Sequence, residues 1–275
     1  MYKIKSKFSS TLILILILVS TNSYSQSLWN TDSTLFRSIN NNRSHFLDAI
    51  IPVVDKSVFP MVAISPVALF TFGRINKVPY DENSGVLLAV SEVTSYGVTF
   101  ALKNMIKRKR PYQAFENVYS KKNNSPTDDY SFPSGHTTEA FTLATSLSLR
   151  YSDEPLLIGG LYLYALTVSY GRIYLGVHYP GDVIAGALIG TGTSVLVYSL
   201  RKEIIKAKNN IFGTENNVDQ VSEGNNNAFM ILGSVLAGDL INSLFLSSNN
   251  KVFSRTRLGL ELNGKFNRVQ MQIGF

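Results

Sequence analysis

Hydrophobic positions concentrate in five segments in the middle of the chain, separated by short polar turns. Within these segments the apolar residues recur at helical spacing or run continuously, which predicts helices rather than strands. A further, amphipathic helix is predicted before them, around Leu35, Ile39 and Phe46. The pattern therefore predicts a mainly α-helical fold, a bundle of five to six helices. The five segments cover residues 58–72, 85–105, 138–149, 156–170 and 183–200.

The segment lengths fit both a membrane bundle and a tightly packed soluble bundle. Only 183–200 is an uncharged stretch close to the roughly 20 residues that cross a bilayer, and the others are shorter or carry a charge such as Glu92. Gly186 and Gly190 allow the close helix contact that is common in lipid. Basic residues gather in alternate turns, as expected of cytoplasmic loops, so a membrane-embedded bundle is favoured. These residues are Arg74, Lys77, Arg150, Arg201, Lys202, Lys206 and Lys208.

Residues 1–25 have the pattern of a secretory signal peptide. Three lysines precede a continuous apolar run over 12–19, and Ser23 and Ser25 put small residues at the positions that a signal peptidase reads. The run would rise about 12 Å as a helix, far less than a hydrocarbon core of roughly 30 Å. We therefore expect cleavage after Ser25, with an uncleaved anchor as the alternative, and a helical domain over 26–208.

After residue 208 the helical pattern of apolar residues gives way to a polar segment and then to alternating apolar residues. Residues 209–227 are rich in Asn, Glu and Gly and are interpreted as a polar linker. In the tail, 228–275, apolar residues alternate on both sides of Asn263-Gly264, which predicts a β-hairpin. A membrane barrel needs about eight strands, so we interpret this hairpin as a small tail packed on the bundle. The alternating residues are Leu258, Leu260, Leu262, Val269, Met271, Ile273 and Phe275.

Composition narrows the classes of function. The chain has no cysteine, which excludes disulfides and thiolate metal sites. Its net charge of +7 fits nucleic acid, anionic lipid or a phosphorylated substrate as a partner. Nucleic acid is disfavoured because the basic residues are not interleaved as a binding stripe. Nothing in the sequence implies an obligate protein partner.

A turn at 130–137 carries the first candidate chemistry. Pro133 fixes the backbone before Ser134 and Gly135, and helical spacing begins just after His136. A helix N-terminus presents unpaired N–H groups to an anion, and a glycine lets the backbone come close to it. The alternative is a simple helix cap, so the meaning of this turn depends on its neighbours.

A basic cluster precedes this turn. Lys103 and Arg110 are seven residues apart, two helical turns, with Lys107 between them on the same predicted face. Pro111 is predicted to end that helix. The alternative, a solvated helix end, is weakened by Lys103, because an unpaired ammonium in an apolar segment is costly.

A second cluster follows the turn and contains Arg172, His178 and Asp182. Pro180 is predicted as the first residue of a helix, which puts Asp182 in its first turn, within reach of His178. A carboxylate that holds an imidazole fixes its tautomer and leaves the other nitrogen for attack. His45, the remaining histidine, lies near no motif and is predicted to be a surface residue.

The three clusters together resemble the signature of the type-2 phosphatidic acid phosphatase and vanadium haloperoxidase superfamily, in its lipid phosphatase branch. The first family motif is Lys, six residues, then Arg-Pro, and matches Lys103, Arg110 and Pro111. The second is Pro-Ser-Gly-His and matches 133–136. The resemblance covers roughly 45–200.

The third family motif is Ser-Arg, five residues, His, three residues, Asp, and it matches Arg172, His178 and Asp182. Gly171 departs from it, since the family usually has serine there. The resemblance implies that His178 attacks phosphorus, that Asp182 orients it, and that His136 protonates the leaving group. It also implies no metal and no cofactor. The implied phosphate-binding residues are Lys103, Arg110, Ser134, Gly135 and Arg172.

The expected function is a phosphatase facing the periplasm from the inner membrane of a bacterial-type envelope. Its expected substrate is a phosphate monoester or pyrophosphate of a lipid, such as an isoprenoid pyrophosphate, lipid A or a glycerophospholipid, with membrane lipids as its surroundings. The alternatives within the superfamily are a soluble periplasmic acid phosphatase, a phosphotransferase and a vanadate haloperoxidase. A non-catalytic membrane scaffold is the alternative of another class.

Overall fold

The computed structural model describes residues 25–120, 129–214 and 219, and the backbone of two strands near the C-terminus. Within these residues the chain forms eight helices, so the predicted number of five to six is corrected. The additional helices are a single turn and a short helix after the bundle. The helices are α1 (Ser25–Asn40), α2 (His45–Asn76), α3 (Pro79–Ile106), α4 (Pro111–Ala114), α5 (Gly135–Arg150), α6 (Pro155–Tyr174), α7 (Pro180–Ser199) and α8 (Arg201–Phe212).

The two longest helices, α2 and α3, pack antiparallel and touch closely beside the turn that joins them. A Cβ atom at Gly73 would lie 2.2 Å from the backbone nitrogen of Glu82. One at Gly85 would lie 2.5 Å from the backbone nitrogen of Phe70. Side chains at either position would push the helices apart, so the contact depends on both glycines.

Helix α5 lies at the centre of the bundle, in contact with α2, α3, α6 and α7. Gly186 and Gly190 of α7 rest on its backbone. A Cβ atom there would lie 2.7 Å from the carbonyl oxygen of Ser134 and 2.3 Å from that of Thr138. This confirms the close helix contact predicted from the two glycines. The surrounding core includes Val58, Met61, Leu69, Leu88, Leu143, Leu147, Leu161 and Val168.

Among the described residues, four helices, α2, α3, α6 and α7, are long and apolar enough to cross a membrane. In the sequence, only the apolar segment of α7 is an uninterrupted uncharged stretch of about spanning length. In α2 and α3 polar residues such as Asp55 and Glu92 interrupt the apolar run without ending the helix. Large apolar side chains face outward from these helices, as a lipid environment requires. They include Val67, Val93, Leu163, Ile184 and Leu188.

The N-terminal helix is shorter than predicted. Leu35 and Ile39 lie in α1, but Phe46 belongs to α2, beyond a break at 41–44. Among the described side chains of α1, that of Phe36 is fully buried. The predicted signal peptide lies, apart from its last residue, outside the described residues, so it stays a prediction.

The C-terminal part departs from the predicted boundaries. Helix α8 ends at Phe212, so 209–212, the start of the predicted linker, is helical. Two strands, β1 (Thr256–Asn263) and β2 (Phe266–Ile273), pair antiparallel. The packing of this tail on the bundle falls outside the described residues, and the hairpin tail as a unit stays a prediction.

Candidate active site

The ends of four helices meet at one end of the bundle. Helices α3 and α6 end there, and α5 and α7 begin there. Lys103 lies in the last turn of α3, Arg172 in the last turn of α6 and His136 in the first turn of α5. The structure brings all the predicted site residues to this end, while their chemical roles stay predictions. They are Lys103, Arg110, Ser134, Gly135, His136, Arg172, His178 and Asp182.

His178 lies between Asp182 and Arg110. Helix α7 begins at Pro180, as predicted, with Asp182 in its first turn. Oδ2 of Asp182 accepts a hydrogen bond from the backbone N–H of Tyr179 at 2.9 Å and lies 3.5 Å from Nδ1 of His178. The other ring nitrogen, Nε2, lies 3.3 Å from Nη1 of Arg110. The carboxylate therefore faces Nδ1, and Nε2 faces the basic residues.

The turn before α5 joins the two histidine segments. Ser134 is the N-cap residue of α5, and its N–H donates to the carbonyl oxygen of Asp182 at 3.0 Å. A Cβ atom at Gly135 would meet only Cγ2 of Thr99, at an ordinary 3.9 Å. Packing within the protein would thus accept a larger residue at 135.

The basic cluster does not lie on one continuous helix, which corrects the prediction. Helix α3 ends at Ile106, and Lys107 adopts a left-handed conformation with φ of 53°. Pro111 begins the one-turn α4 instead of ending α3. The left-handed residue turns the chain, so Lys107 points to solvent, while Arg110 is buried against His178.

Asp55 of α2 is a site residue that the sequence analysis missed. Its Oδ1 accepts a hydrogen bond from Nη1 of Arg172 and lies 4.0 Å from Nε2 of His136. A buried carboxylate in an apolar helix is costly without a partner, and this cost is the signal that identifies Asp55 in the sequence. The hydrophobic pattern places the start of this segment at Val58, which leaves Asp55 outside it.

Arg108 and Asp32 were also missed. Nη1 of Arg108 donates to Oδ1 of Asp182 at 2.5 Å, and Nη2 donates to Oδ2 of Asp32 at 2.6 Å. These residues come from three distant parts of the chain: α1, the loop after α3, and α7. No local pattern in the sequence connects them.

Both histidines are neutral at neutral pH. Burial and the nearby Arg172 lower the pKa of His136 to about 3, although the Asp55 carboxylate opposes them. Burial, together with Arg110 and Arg172, lowers the pKa of His178 well below its usual value. A neutral His178 keeps the lone pair that a nucleophile needs. A bound phosphate dianion would offset the arginines and favour the protonated form of His136.

Among residues 25–214 and 219, as far as they are described, no group of three or more His, Asp or Glu side chains is placed to hold a metal ion. The positive charge of the site comes from Lys103, Arg110 and Arg172. Their side chains lie close enough to affect both histidines electrostatically. This donor set suits an oxyanion better than a cation.

Residues 84–206 match the family model described as PAP2 superfamily. An undecaprenyl-diphosphatase from Sulfolobus acidocaldarius is 35% identical over 163 residues, which cover 59% of this chain and 74% of that relative. The chain belongs to the PAP2 superfamily. A shorter PAP2 match is the lipid A 4'-phosphatase from Bacteroides thetaiotaomicron, 41% identical over 27% of this chain and 33% of that protein.

Solved structures agree with the PAP2 assignment. The crystal structure of Aquifex aeolicus LpxE has a TM-score of 0.50 and 32% identity, over 60% of this chain and 93% of that one. A transmembrane PAP2-type phosphatidylglycerolphosphate phosphatase from Bacillus subtilis has a TM-score of 0.53 and 24% identity, over 74% and 98%. The second similarity shows the shared fold alone.

Gly171, the one departure from the PAP2 motifs, has a packing explanation. A Cβ atom at this position would lie 3.0 Å from Cγ2 of Ile51, which is tighter than an ordinary contact. Ile51 is buried and packs in a small cluster with Tyr174 and Leu175. Glycine at position 171 therefore leaves room for the side chain of Ile51. The neighbouring Arg172 still donates a hydrogen bond to Asp55.

Proposed function

We propose that this membrane protein is a metal-independent lipid phosphatase that hydrolyses a phosphate monoester or pyrophosphate through a phosphohistidine on His178. The observation that carries the proposal is the position of this imidazole. Its Nδ1 faces Asp182, and its Nε2 lies 3.3 Å from the guanidinium of Arg110, inside the basic cluster. The PAP2 relatives, named as phosphatases of lipid phosphates and pyrophosphates, support a hydrolase.

The reaction has two steps. In the first, Nε2 of His178 attacks phosphorus, the bond from phosphorus to the leaving oxygen breaks, and His136 gives that oxygen a proton. In the second, His136 takes a proton from water, whose oxygen attacks phosphorus and breaks the bond to His178. The product is inorganic phosphate or, if the attack falls elsewhere on a pyrophosphate, a phosphorylated fragment.

The phosphoryl oxygens are held by charge and by the helix N-terminus. Lys103, Arg110 and Arg172 surround the place that the phosphoryl group would occupy, and the N–H of Gly135 lies at the start of α5. Ser134 is the remaining donor on this side. Fixed cations stabilise the charge that grows in the transition state, the task that a magnesium ion performs in other phosphoryl-transfer sites.

A lipid substrate is supported by the apolar surroundings of the site. The site lies at the ends of helices that can cross a membrane. Phe59 of α2 is 56% exposed, and its ring lies 4.8 Å from that of His136. An exposed aromatic side chain beside the leaving-group histidine suits a substrate whose leaving group is lipid. An isoprenoid pyrophosphate, lipid A and a glycerophospholipid all have this chemistry.

A periplasmic orientation is supported by charge placement. The opposite end of the bundle carries exposed basic residues in the turns after α2 and α7, as expected of a cytoplasmic face. The predicted signal peptide would place the mature N-terminus, next to the site, outside. A soluble acid phosphatase, a phosphotransferase and a vanadate haloperoxidase are the alternatives within the superfamily.

The test compares detergent-purified wild type with His178→Ala and His45→Ala. His45 is exposed and lies outside the site, so it is the matched control. Phosphate release is measured with EDTA present on an isoprenoid pyrophosphate, phosphatidate, lipid A and a soluble aryl phosphate. We expect EDTA-resistant release from wild type and His45→Ala, and none from His178→Ala.

The same assay decides between the alternatives. Preference for the aryl phosphate would favour a soluble-type acid phosphatase. Transfer of the phosphoryl group to an added alcohol in place of release would favour a transferase. Halide oxidation after addition of vanadate and peroxide would favour the haloperoxidase. Equal release from wild type and His178→Ala, or none from either, would contradict the phosphohistidine mechanism.

A further inference from the structure

The two oxygens of the Asp182 carboxylate have different neighbours. Oδ2 faces Nδ1 of His178 and accepts the N–H of Tyr179, while Oδ1 accepts from Nη1 of Arg108 at 2.5 Å. The carboxylate is fully buried. A charge-assisted hydrogen bond at this distance is strong, so Arg108 fixes which oxygen faces the histidine.

Arg108 is itself held from the other side by α1. Its Nη2 donates to Oδ2 of Asp32 at 2.6 Å, and Oδ1 of Asp32 accepts the N–H of Gly181 at 2.7 Å. The guanidinium also lies over the ring of Tyr179, 3.9 Å from its centroid. One planar cation thus bridges two carboxylates and is fixed between an aromatic ring and α1.

Helix α1 is anchored firmly enough to serve as a support. Phe36 is fully buried, with its ring 5.7 Å from that of Tyr179. Nδ2 of Asn40, also buried, donates to the carbonyl oxygens of Tyr119 and Tyr174 at 2.9 and 3.0 Å. The helix therefore contacts the segments on both sides of the site.

We propose that Asp32 and Arg108 are positioning residues for His178, so that α1 completes the active site. The relay runs from Asp32 through Arg108 and Asp182 to the imidazole. This inference rests on the proposed function, because it gives His178 the role of nucleophile. Neither positioning residue touches the phosphoryl group.

Loss of Arg108 is expected to slow the chemical step, the attack of His178 on phosphorus. Without Arg108, a fully buried carboxylate loses the cation beside it, so it rotates toward another donor or takes up a proton. In either case Asp182 no longer holds Nδ1 of His178, and attack by Nε2 slows. The basic residues that bind the phosphoryl group remain in place, so substrate binding is unaffected.

The main variant is Arg108→Gln. We expect kcat to fall about 10–100-fold, the range typical when an outer partner of an oriented side chain is lost, with KM within about twofold. Arg108→Lys should recover part of kcat, because one ammonium can face one carboxylate but not bridge both. Lys109→Gln removes an exposed charge from the same loop and should behave as wild type.

Asp32→Asn tests α1 directly with a nearly isosteric change. The amide oxygen of Asn can still accept the N–H of Gly181, so the substitution removes chiefly the contact with Arg108. It should lower kcat less than Arg108→Gln does, and it should have little further effect when added to Arg108→Gln. The matched control is Asp153→Asn, at an exposed position far from the site. The rate of phosphoenzyme formation in single turnover, measured with labelled substrate, should fall in parallel with kcat.

The outcomes separate this inference from the proposed function. If His178→Ala is as active as wild type, the proposed function fails and the relay with it. If His178→Ala is inactive but Asp32→Asn and Arg108→Gln match wild type, only the relay is wrong. Additive effects of the two substitutions, or a change in KM without a change in kcat, would also overturn it.

Discussion

Buried charges lie at both ends of the bundle, but the two ends use them differently. At the end away from the site, cations meet carboxylates. Nζ of Lys208 donates to Oε1 of Glu82 at 2.9 Å. Arg150 makes two hydrogen bonds to Asp219, at 2.7 and 3.0 Å. These are closed pairs, and their positive charge is compensated within the protein.

At the site end, cations are also fixed by carbonyl groups. Nζ of Lys103 donates to the carbonyl oxygen of Tyr130 at 2.7 Å, and Nη1 of Arg110 donates to that of Val177 at 3.1 Å. A carbonyl oxygen positions a cation without adding a counter-charge of its own. The same residue types therefore pair with carboxylates at the far end, and at the site end they are the residues for which phosphate binding is proposed above.

Lys208→Met should have the largest effect on stability. Lys208 and Glu82 are both almost fully buried. Removing one member of a buried pair typically costs about 3–5 kcal/mol, and we expect the lower part of that range because Arg74 still bonds to Glu82. Unfolding in detergent should shift accordingly, while kcat well below the transition stays unchanged.

Lys206→Met is the control for that substitution. Lys206 lies on the same helix, two residues away, and is exposed. It should alter neither the unfolding transition nor the activity. Loss of activity in Lys208→Met with an unshifted transition would break the distinction between the two ends.

Arg110→Gln should show the opposite profile. We expect kcat/KM to fall by about 2.7–4 kcal/mol in transition-state stabilisation, the cost of one lost donor, with little change in the unfolding transition. Lys107→Gln is the informative control, because the sequence puts Lys107 on the same helical face as Arg110 but the structure leaves it in solvent. An equal loss of activity in both variants would favour the continuous helix.

Local signals in the sequence predict the site well where the chemistry lies at helix ends. The start of α7 at Pro180 and the close contact at Gly186 and Gly190 are confirmed. Proline restricts its own backbone and glycine lacks a Cβ atom, so both effects can be read at the residue itself. The site residues on four helix ends meet as expected, since antiparallel helices return alternate ends to one side.

The sequence could not supply the partners that come from elsewhere in the chain. Asp55 meets Arg172 across 117 residues, and Asp32 meets Arg108 across 76. Hydrophobic periodicity describes one helix or strand at a time, so it does not reveal pairs between distant segments. The end of α3 was missed for another reason: Lys107 takes a left-handed conformation that only a glycine or asparagine would have indicated.

The buried histidines give the site end of the bundle a pH dependence. The pKa of His136 is about 3 in the folded protein and near 6.5 in the unfolded chain. Below pH 6.5 the unfolded chain therefore binds a proton that the folded protein does not, and stability falls as pH falls. At pH 5 this costs about 2 kcal/mol.

His136→Gln removes this titration. Its unfolding transition, measured in detergent, should lose less than that of wild type between pH 8 and pH 5. His45→Ala, at an exposed position, should lose as much as wild type does. The same loss in His136→Gln and in wild type would show that His136 does not carry a depressed pKa in the folded protein.

Between the two ends, the carboxyl groups of Glu92 and Glu139 are buried inside the bundle, and neither carboxyl oxygen of Glu92 has a hydrogen-bond partner among the described residues. Ser95 is a neighbour, with Oγ 3.4 Å from Oε2 of Glu139. An ionised carboxylate can only accept a hydrogen bond, whereas an amide can also donate one. Glu92→Gln removes a buried charge and supplies a donor toward Glu139. We expect a gain of about 1 kcal/mol in the free energy of unfolding and activity within about twofold of wild type.

Glu203→Gln, at an exposed position of α8, is the control and should leave the unfolding transition unchanged. A marked loss of activity in Glu92→Gln would mean that a charge in the middle of the bundle supports the site, so that the boundary between the two ends lies deeper than the contacts indicate. A gain in stability with activity retained would instead make the two acids a third region, in which buried charge is neither paired with a cation, as at Lys208 and Glu82, nor needed for activity.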